Sequence, residues 1–161
     1  MEHLLIIEDD AALAAMLAEY LGKAGYATTI AGTATEGVPG VSKSVRGDER
    51  LLRRMLRNLL ANARQYAGDS SVEVDVRPLD GQRARIAVAD RGPGVPPQLR
   101  ERIFEPFYRL PGPAQSASGA GLGLSLVRQI ARRHGGEVVC RERDGGGSVF
   151  EVILPYGPPN A

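Results

Sequence analysis

Gly119-Ala-Gly-Leu-Gly-Leu-Ser-Leu-Val-Arg-Gln-Ile-Ala-Arg-Arg-His-Gly-Gly136 is the stretch on which the reading of this chain turns. Glycine-rich backbone runs directly into a helix over 123–134, with Leu126, Val127, Ile130 and Ala131 at inward spacing and Gly135-Gly136 as its stop. Free N–H groups and the helix dipole both favour an anion at such a junction, so the turn 119–124 is a phosphate site in kind. It is not a dinucleotide fingerprint, because it is no strand-turn-helix unit followed by a ribose-binding acid. His134, the last residue before the glycines, suits the negative end of the helix.

Three further motifs precede it. In Asn58-Leu-Leu-Ala-Asn62-Ala-Arg-Gln-Tyr66 the residues Asn58, Asn62 and Tyr66 are four apart and share a helix face. An Asn carbonyl is a hard oxygen ligand suited to Mg²⁺; the alternative is an ordinary polar helix face. Asp90-Arg-Gly92-Pro-Gly94 follows a strand. Its carboxylate can accept from an adenine amino group while the glycines admit the base, although Asp-X-Gly is also a common turn. In Ile103-Phe-Glu-Pro-Phe-Tyr-Arg109, Phe104 and Phe107 can anchor a loop against the body so that Arg109 reaches a phosphate. A short amphipathic turn would read the same way.

The elements between these motifs define the fold class. Asp48 is a good N-cap with Glu49 in the first turn, and Leu52, Met55, Leu56, Leu59, Leu60 and Ala63 form the buried stripe of the helix it opens. Val72, Val74 and Val76 alternate with polar residues, and the Asp80-Gly81 turn leads to a second strand over 83–89. A last hairpin, 137–141 with 148–154, surrounds Asp144-Gly-Gly-Gly147. The expected class is α+β: a two-layer sandwich of a mixed sheet with helices on one face.

Together, in this order and at these separations, the motifs resemble the N, G1, F and G2 boxes of the GHKL superfamily of ATP-binding domains, with their Bergerat-type fold. The nearest branch is the catalytic domain of sensor histidine kinases, matched in "NLLANARQYA", "DRGPGV", "FEPFYR", "GAGLGLSLVRQIARRHGG" and the closing "GGGSVFEVILP". The resemblance implies ATP and Mg as cofactors. It implies that Asn62 ligates Mg²⁺, Tyr66 packs on adenine and Asp90 reads its amino group. Gly92 and Gly94 would line the base pocket. Gly119, Gly121 and Gly123, with Leu124 in the same box, would hold phosphates beneath a lid over about 96–118 that Arg109 contacts. Where ATP-hydrolysing members carry a glutamate, this chain has Asn58, which cannot act as a general base. The site therefore suits phosphoryl transfer, catalysed by positioning and charge stabilisation. Asn58, Asn62 and Arg109 are the candidate catalytic residues. One departure stands out: the family usually has Lys or Arg just before the tyrosine, and here it is Gln65. Arg64 is adjacent, roughly 100° away around the helix.

The front of the chain has a different grammar. Residues 4–7 are a continuous apolar run, Leu13, Met16, Leu17, Tyr20 and Leu21 repeat at helical spacing, and 27–30 form a second strand after Gly25. This βαβ-like fragment resembles the start of a response-regulator receiver domain, which implies a weak or vestigial metal site at Glu8 and Asp9. The third strand with its phosphoacceptor aspartate is missing. The expected organisation is a truncated receiver-like segment 1–36, a Gly/Pro/Ser-rich junction 37–47, an ATP-binding catalytic domain 48–157 and a tail 158–161. A fusion of regulator and kinase sequences accounts for this order, with residues 4–7 and 27–30 replacing sheet strands.

Bulk properties agree with a globular nucleotide-binding chain. The 161 residues carry 20 Lys+Arg against 19 Asp+Glu, a formal net charge of +1, which gives no reason to expect nucleic acid as partner. Arginines between 46 and 64 read as a solvated helix face. One cysteine, Cys140 in an apolar strand, excludes an intrachain disulfide and suits a reducing compartment. No apolar stretch approaches the ~18 residues that span a bilayer, and there is no signal peptide, so a cytoplasmic chain is expected. Its expected partners are a histidine phosphoacceptor domain supplied in trans and a response regulator, since neither His3 nor His134 sits in a phosphoacceptor motif. The competing readings are an ATPase or serine-kinase regulator of the same superfamily, a chimeric or truncated ATP-binding protein without kinase activity, and a non-catalytic interaction module that docks through the receiver-like helix 11–21.

Overall fold

The computed structural model describes residues 2–8, 18–19, 23, 26–31, 45, 47–68, 70–111 and 120–156. Six strands form one mixed sheet: β1 (Glu2–Glu8), β2 (Tyr26–Ala31), β3 (Val72–Pro78), β4 (Arg83–Ala89), β5 (Glu137–Glu142) and β6 (Ser148–Pro155), in the order β2-β1-β3-β4-β6-β5. Helices α1 (Glu49–Ala67) and α2 (Gly123–Arg133) cover one face, and two short 3₁₀ turns, Pro97–Leu99 and Arg102–Phe104, lie between β4 and α2. This is the α+β sandwich expected from the sequence.

Each helix forms for local reasons. The Asp48 carboxylate accepts from the N–H groups of Arg50 at 2.9 Å and Leu51 at 3.2 Å, capping two of the donors that α1 leaves unsatisfied. From there Met55, Leu59, Leu60 and Ala63 are buried at helical spacing, while Leu52 and Leu56 pack partly buried against the same core. Helix α2 buries Val127, Ile130 and Ala131, and Ser125 returns its hydroxyl to the Leu122 carbonyl at 2.9 Å.

The helix-facing rows of the sheet are apolar across four strands. Val74 pairs with Val88, Val88 with Phe150 and Phe150 with Cys140; one register step on, Val76, Ile86, Val152 and Val138 repeat the row. Phe104 closes the core edge-on to Phe150, with ring centroids 6.3 Å apart. Cys140 is the small core residue its strand pattern indicated, and burial pushes its thiol up to about 11. The opposite face carries charge: Arg85 bridges Asp75 and Glu151 at 2.6 Å each, and Glu151 also accepts from Arg141 at 3.0 Å.

The sheet runs past the hairpins. Strand β1 pairs in parallel with β2 on one side and with β3 on the other, bringing Leu4 opposite Val72 and Ile6 opposite Val74. The two N-terminal strands therefore belong to the same sheet as the rest. Most of the helix expected between them lies outside the described residues; Ala18 and Glu19 are helical, and Ala18 packs against the core. The junction 37–47, apart from Val45 and Gly47, and the tail 158–161 also lie outside them.

His134 differs from its sequence reading. It is buried, its Nε2 accepts the Asp48 N–H at 3.0 Å, and its Nδ1 lies 2.7 Å from the Ile130 carbonyl. A ring nitrogen that accepts from an amide carries no proton, so the other nitrogen donates and the imidazole is neutral. His134 thus ties the end of α2 to the start of α1 by hydrogen bonds, and no positive charge meets the helix dipole.

Candidate functional site

A cleft of about 710 Å³ opens between α1, the loop after β4 and the glycine-rich start of α2. That volume is ordinary for a small-molecule pocket. Asn58, Asn62 and Tyr66 line one wall from α1, as their four-residue spacing requires. Asp90 and Gly94 line it from the loop after β4, Arg109 from the segment after the second 3₁₀ turn, and Gly121, Gly123 and Leu124 from the start of α2.

Asp90 is the buried end of the cleft, at 2% exposure. Its Oδ1 accepts the Gly92 N–H at 2.8 Å, and its own N–H donates to the Ser148 carbonyl at 2.9 Å. Burial pushes its carboxyl up; the backbone N–H groups of Gly92 and Ser148 and the Arg143 guanidinium oppose that rise without cancelling it. Gly92 stands behind the cleft, not in its lining: it donates to Asp90 and backs onto the Tyr66 carbonyl, where a Cβ would come within 2.6 Å.

The turn 104–109 is held differently from what its sequence indicated. Phe104 is buried and anchors the segment, but Phe107 is 70% exposed. The backbone does the anchoring there. The Phe107 N–H donates to the Gly121 carbonyl at 3.0 Å, and Phe107 takes φ 65° to make that contact. Gly121 has φ 73°, and a Cβ on it would lie 2.9 Å from the Phe107 carbonyl carbon, so only glycine admits this approach. The exposed phenylalanine is the result of pinning its backbone to the glycine-rich turn.

Arg64 and Gln65 both line the cleft, so the 100° between them on the helix does not take Arg64 out of the site. Other lining residues escaped the sequence reading: Ala61, Pro93, Val95, Ile103, Tyr108, Leu110, Ala120, Ser148 and Phe150. The i, i+3 spacing of Ala61 from Asn58 was a usable signal; Ser148 and Phe150 reach the site only because β6 pairs with β4. Gly119 and Asp9 lie outside the described residues, as does the part of the lid segment beyond Pro111, residues 112–118. Glu8 ends β1 opposite Val76, and no cluster of three or more His, Cys, Asp or Glu able to hold a metal occurs among the described residues. No helix among the described residues is long and apolar enough to cross a membrane.

The cleft is chemically polarised. A buried carboxylate, Asp90, marks one end, while the guanidinium groups of Arg64 and Arg109 belong to exposed residues. The amides of Asn58 and Asn62 and the backbone opening α2 supply neutral oxygen and N–H groups. A ligand with a flat hydrogen-bonding head and an anionic tail fits this sequence of groups.

Comparison with known proteins gives a consistent picture. The family described as histidine kinase-, DNA gyrase B-, and HSP90-like ATPase matches residues 47–158. The sensor protein RstB of Escherichia coli (strain K12) is 47% identical over 109 residues, 67% of this chain and 25% of its own length. The crystal structure of full-length ShkA in complex with AMPPNP is similar at 36% identity and TM-score 0.61, over 74% of this chain and 24% of that one. The catalytic domain of histidine kinase ThkA shares the fold with a TM-score of 0.64 at 23% identity, over 98% of this chain and 81% of that one. The chain spans about a quarter of the length of RstB.

Proposed function

Because the chain belongs to the family of histidine kinase-, DNA gyrase B-, and HSP90-like ATPases, we propose that its cleft holds Mg·ATP for transfer of the γ-phosphoryl group to a histidine supplied by another domain. The domain is of the ATP-binding catalytic type found in sensor histidine kinases. The observation that carries the reading is the polarised cleft, with Asp90 buried at one end and the start of α2 at the other.

In this reading Asp90 accepts from the adenine amino group, and Gly92 fixes the carboxylate through its N–H. Tyr66 packs on the base and Gly94 gives it room. The carbonyl of Asn62 is the first choice for a Mg²⁺ ligand, and its chemistry fits: Mg²⁺ prefers a few hard oxygens and keeps waters for the rest. Held there, the ion would offset the negative charge of the phosphates. Gly121 and Gly123 present N–H groups to the phosphates at the start of α2, with Gly119 preceding them in the chain and Leu124 beside them. Arg109 meets the phosphates from the opposite wall. Asn58 lines the cleft but offers no base to activate water, so hydrolysis without an acceptor is disfavoured.

The acceptor histidine comes in trans, and a response regulator is the expected next acceptor. His134 is unsuited to the role, since both of its ring nitrogens are engaged inside the core. We read residues 1–36 as a receiver-like segment, 37–47 as the junction, 48–157 as the catalytic domain and 158–161 as a tail. The parallel pairing of β1 with β3 supports a role for the first segment in completing the sheet.

Calorimetric titration with Mg²⁺ and a non-hydrolysable ATP analogue tests the core of the proposal. Binding with thermal stabilisation is expected, and absence of both would sink it. With a helical-hairpin acceptor added, acid-labile phosphate on the acceptor marks the histidine kinase; steady phosphate release without acceptor marks an ATPase.

A further inference from the structure

We infer that Arg64, in place of the neutral Gln65, is the cation through which α1 binds the polyphosphate of the nucleotide; this rests on the ATP reading of the same cleft. The charged groups among the described lining residues are few: Arg64, Asp90 and Arg109. Asp90 is buried and repels phosphate, so an anionic tail must leave it and run toward the guanidinium groups. Arg109 stands after the second 3₁₀ turn and Arg64 in the last turn of α1, so the cations come from two different elements around the cleft.

The local geometry explains how Arg64 gets there. Asn58, Ala61, Asn62 and Gln65 follow i, i+3, i+4, i+7 spacing and form the stripe of α1 that faces the cleft. Arg64 flanks that stripe and lines the cleft with it, and an arginine stem is long enough to bring a guanidinium in from the side. Gln65 lies on the stripe itself but offers only a neutral amide, which is a weak match for a polyphosphate. A guanidinium presents several donors in a planar fork suited to phosphate oxygens.

The test is titration of ATP, ADP and adenosine, each with Mg²⁺, into the full chain and three variants. Arg64→Gln is expected to weaken ATP and ADP by about tenfold and to leave adenosine unchanged, the size of one charge-assisted contact. Gln65→Lys added to Arg64→Gln moves the cation one residue along and is expected to restore most of the ATP affinity. Arg64→Lys should fall between. A merely structural role for Arg64 would weaken all three ligands alike and would not be rescued by the shifted cation. Unchanged ATP affinity in Arg64→Gln overturns this inference while leaving the ATP reading intact. Failure of the unmodified chain to bind either ATP or adenosine overturns both.

Discussion

Asp90 sets two demands against each other. Burial raises its carboxyl above the usual range, so the native state holds that proton more tightly than the unfolded chain does. Its contribution to stability is then greatest at low pH, and it is lost as pH rises from the ordinary Asp range through the raised value. Replacing Asp90 by Asn removes that cost and keeps an acceptor for the Gly92 N–H. We expect the variant to melt at the same temperature or higher at neutral pH while losing adenine-nucleotide binding; a clear drop in melting temperature contradicts this. In the unmodified chain, nucleotide affinity should fall as pH drops through the raised carboxyl value, because the protonated form no longer accepts at both oxygens. The place of Asp90 in a pocket was legible from "DRGPG", since an acid followed by two spaced glycines suits such a lining. The exposure of Phe107 was not legible, because it depends on a backbone contact with Gly121, far along the chain. The engagement of His134 was hidden for the same reason: its partner, Asp48, begins a different helix.

At the scale of elements, the local patterns were readable and the junctions between them were not. Alternating Val72, Val74 and Val76 announced β3, and the Asp80 turn announced the hairpin, whose Oδ1 accepts from the N–H groups of Gln82 and Arg83 at 2.8 Å each. The charged outer face of the sheet emerges only from cross-strand register. There Arg85 sits between Asp75 and Glu151, all three largely shielded at 16%, 20% and 13% side-chain exposure. Burial pushes Glu151 up, but hydrogen bonds from Arg85 and Arg141 outweigh it and hold the carboxyl below its ordinary value. That stabilisation is present above the ordinary Glu range and disappears as pH falls through the depressed value. Arg85→Met leaves two shielded carboxylates without their shared cation and should cost about 2 kcal/mol at neutral pH. Denaturant unfolding at two pH values checks it: the deficit should shrink in acid, and an equal deficit at both would count against an ionic cause.

For the whole molecule, β1 and β2 make the difference between an interior strand and an edge. Without them β3 would present its free backbone groups to solvent beside Val72, Val74 and Val76. A variant beginning at residue 45 is expected to melt lower and to associate in solution, as read by thermal unfolding and light scattering. A monomer with the melting temperature of the full chain would show that the first strands are dispensable. Composition and motif spacing were enough to locate the ATP-type domain, because its site is assembled from short contiguous runs. The sheet order was not readable, because parallel pairing leaves no turn signature between the partners.

The pairing of Leu4 with Val72 also has a consequence in time. The β3–β4 hairpin and α1 close through neighbouring residues, whereas β1 must find β3 across a long stretch of chain that includes β2 and α1, at an entropic cost that local contacts do not bear. Of the described strands, the two earliest in the sequence are thus among the last to find their place. Until the residues around Val72 have been synthesised, β1 has only β2 to pair with.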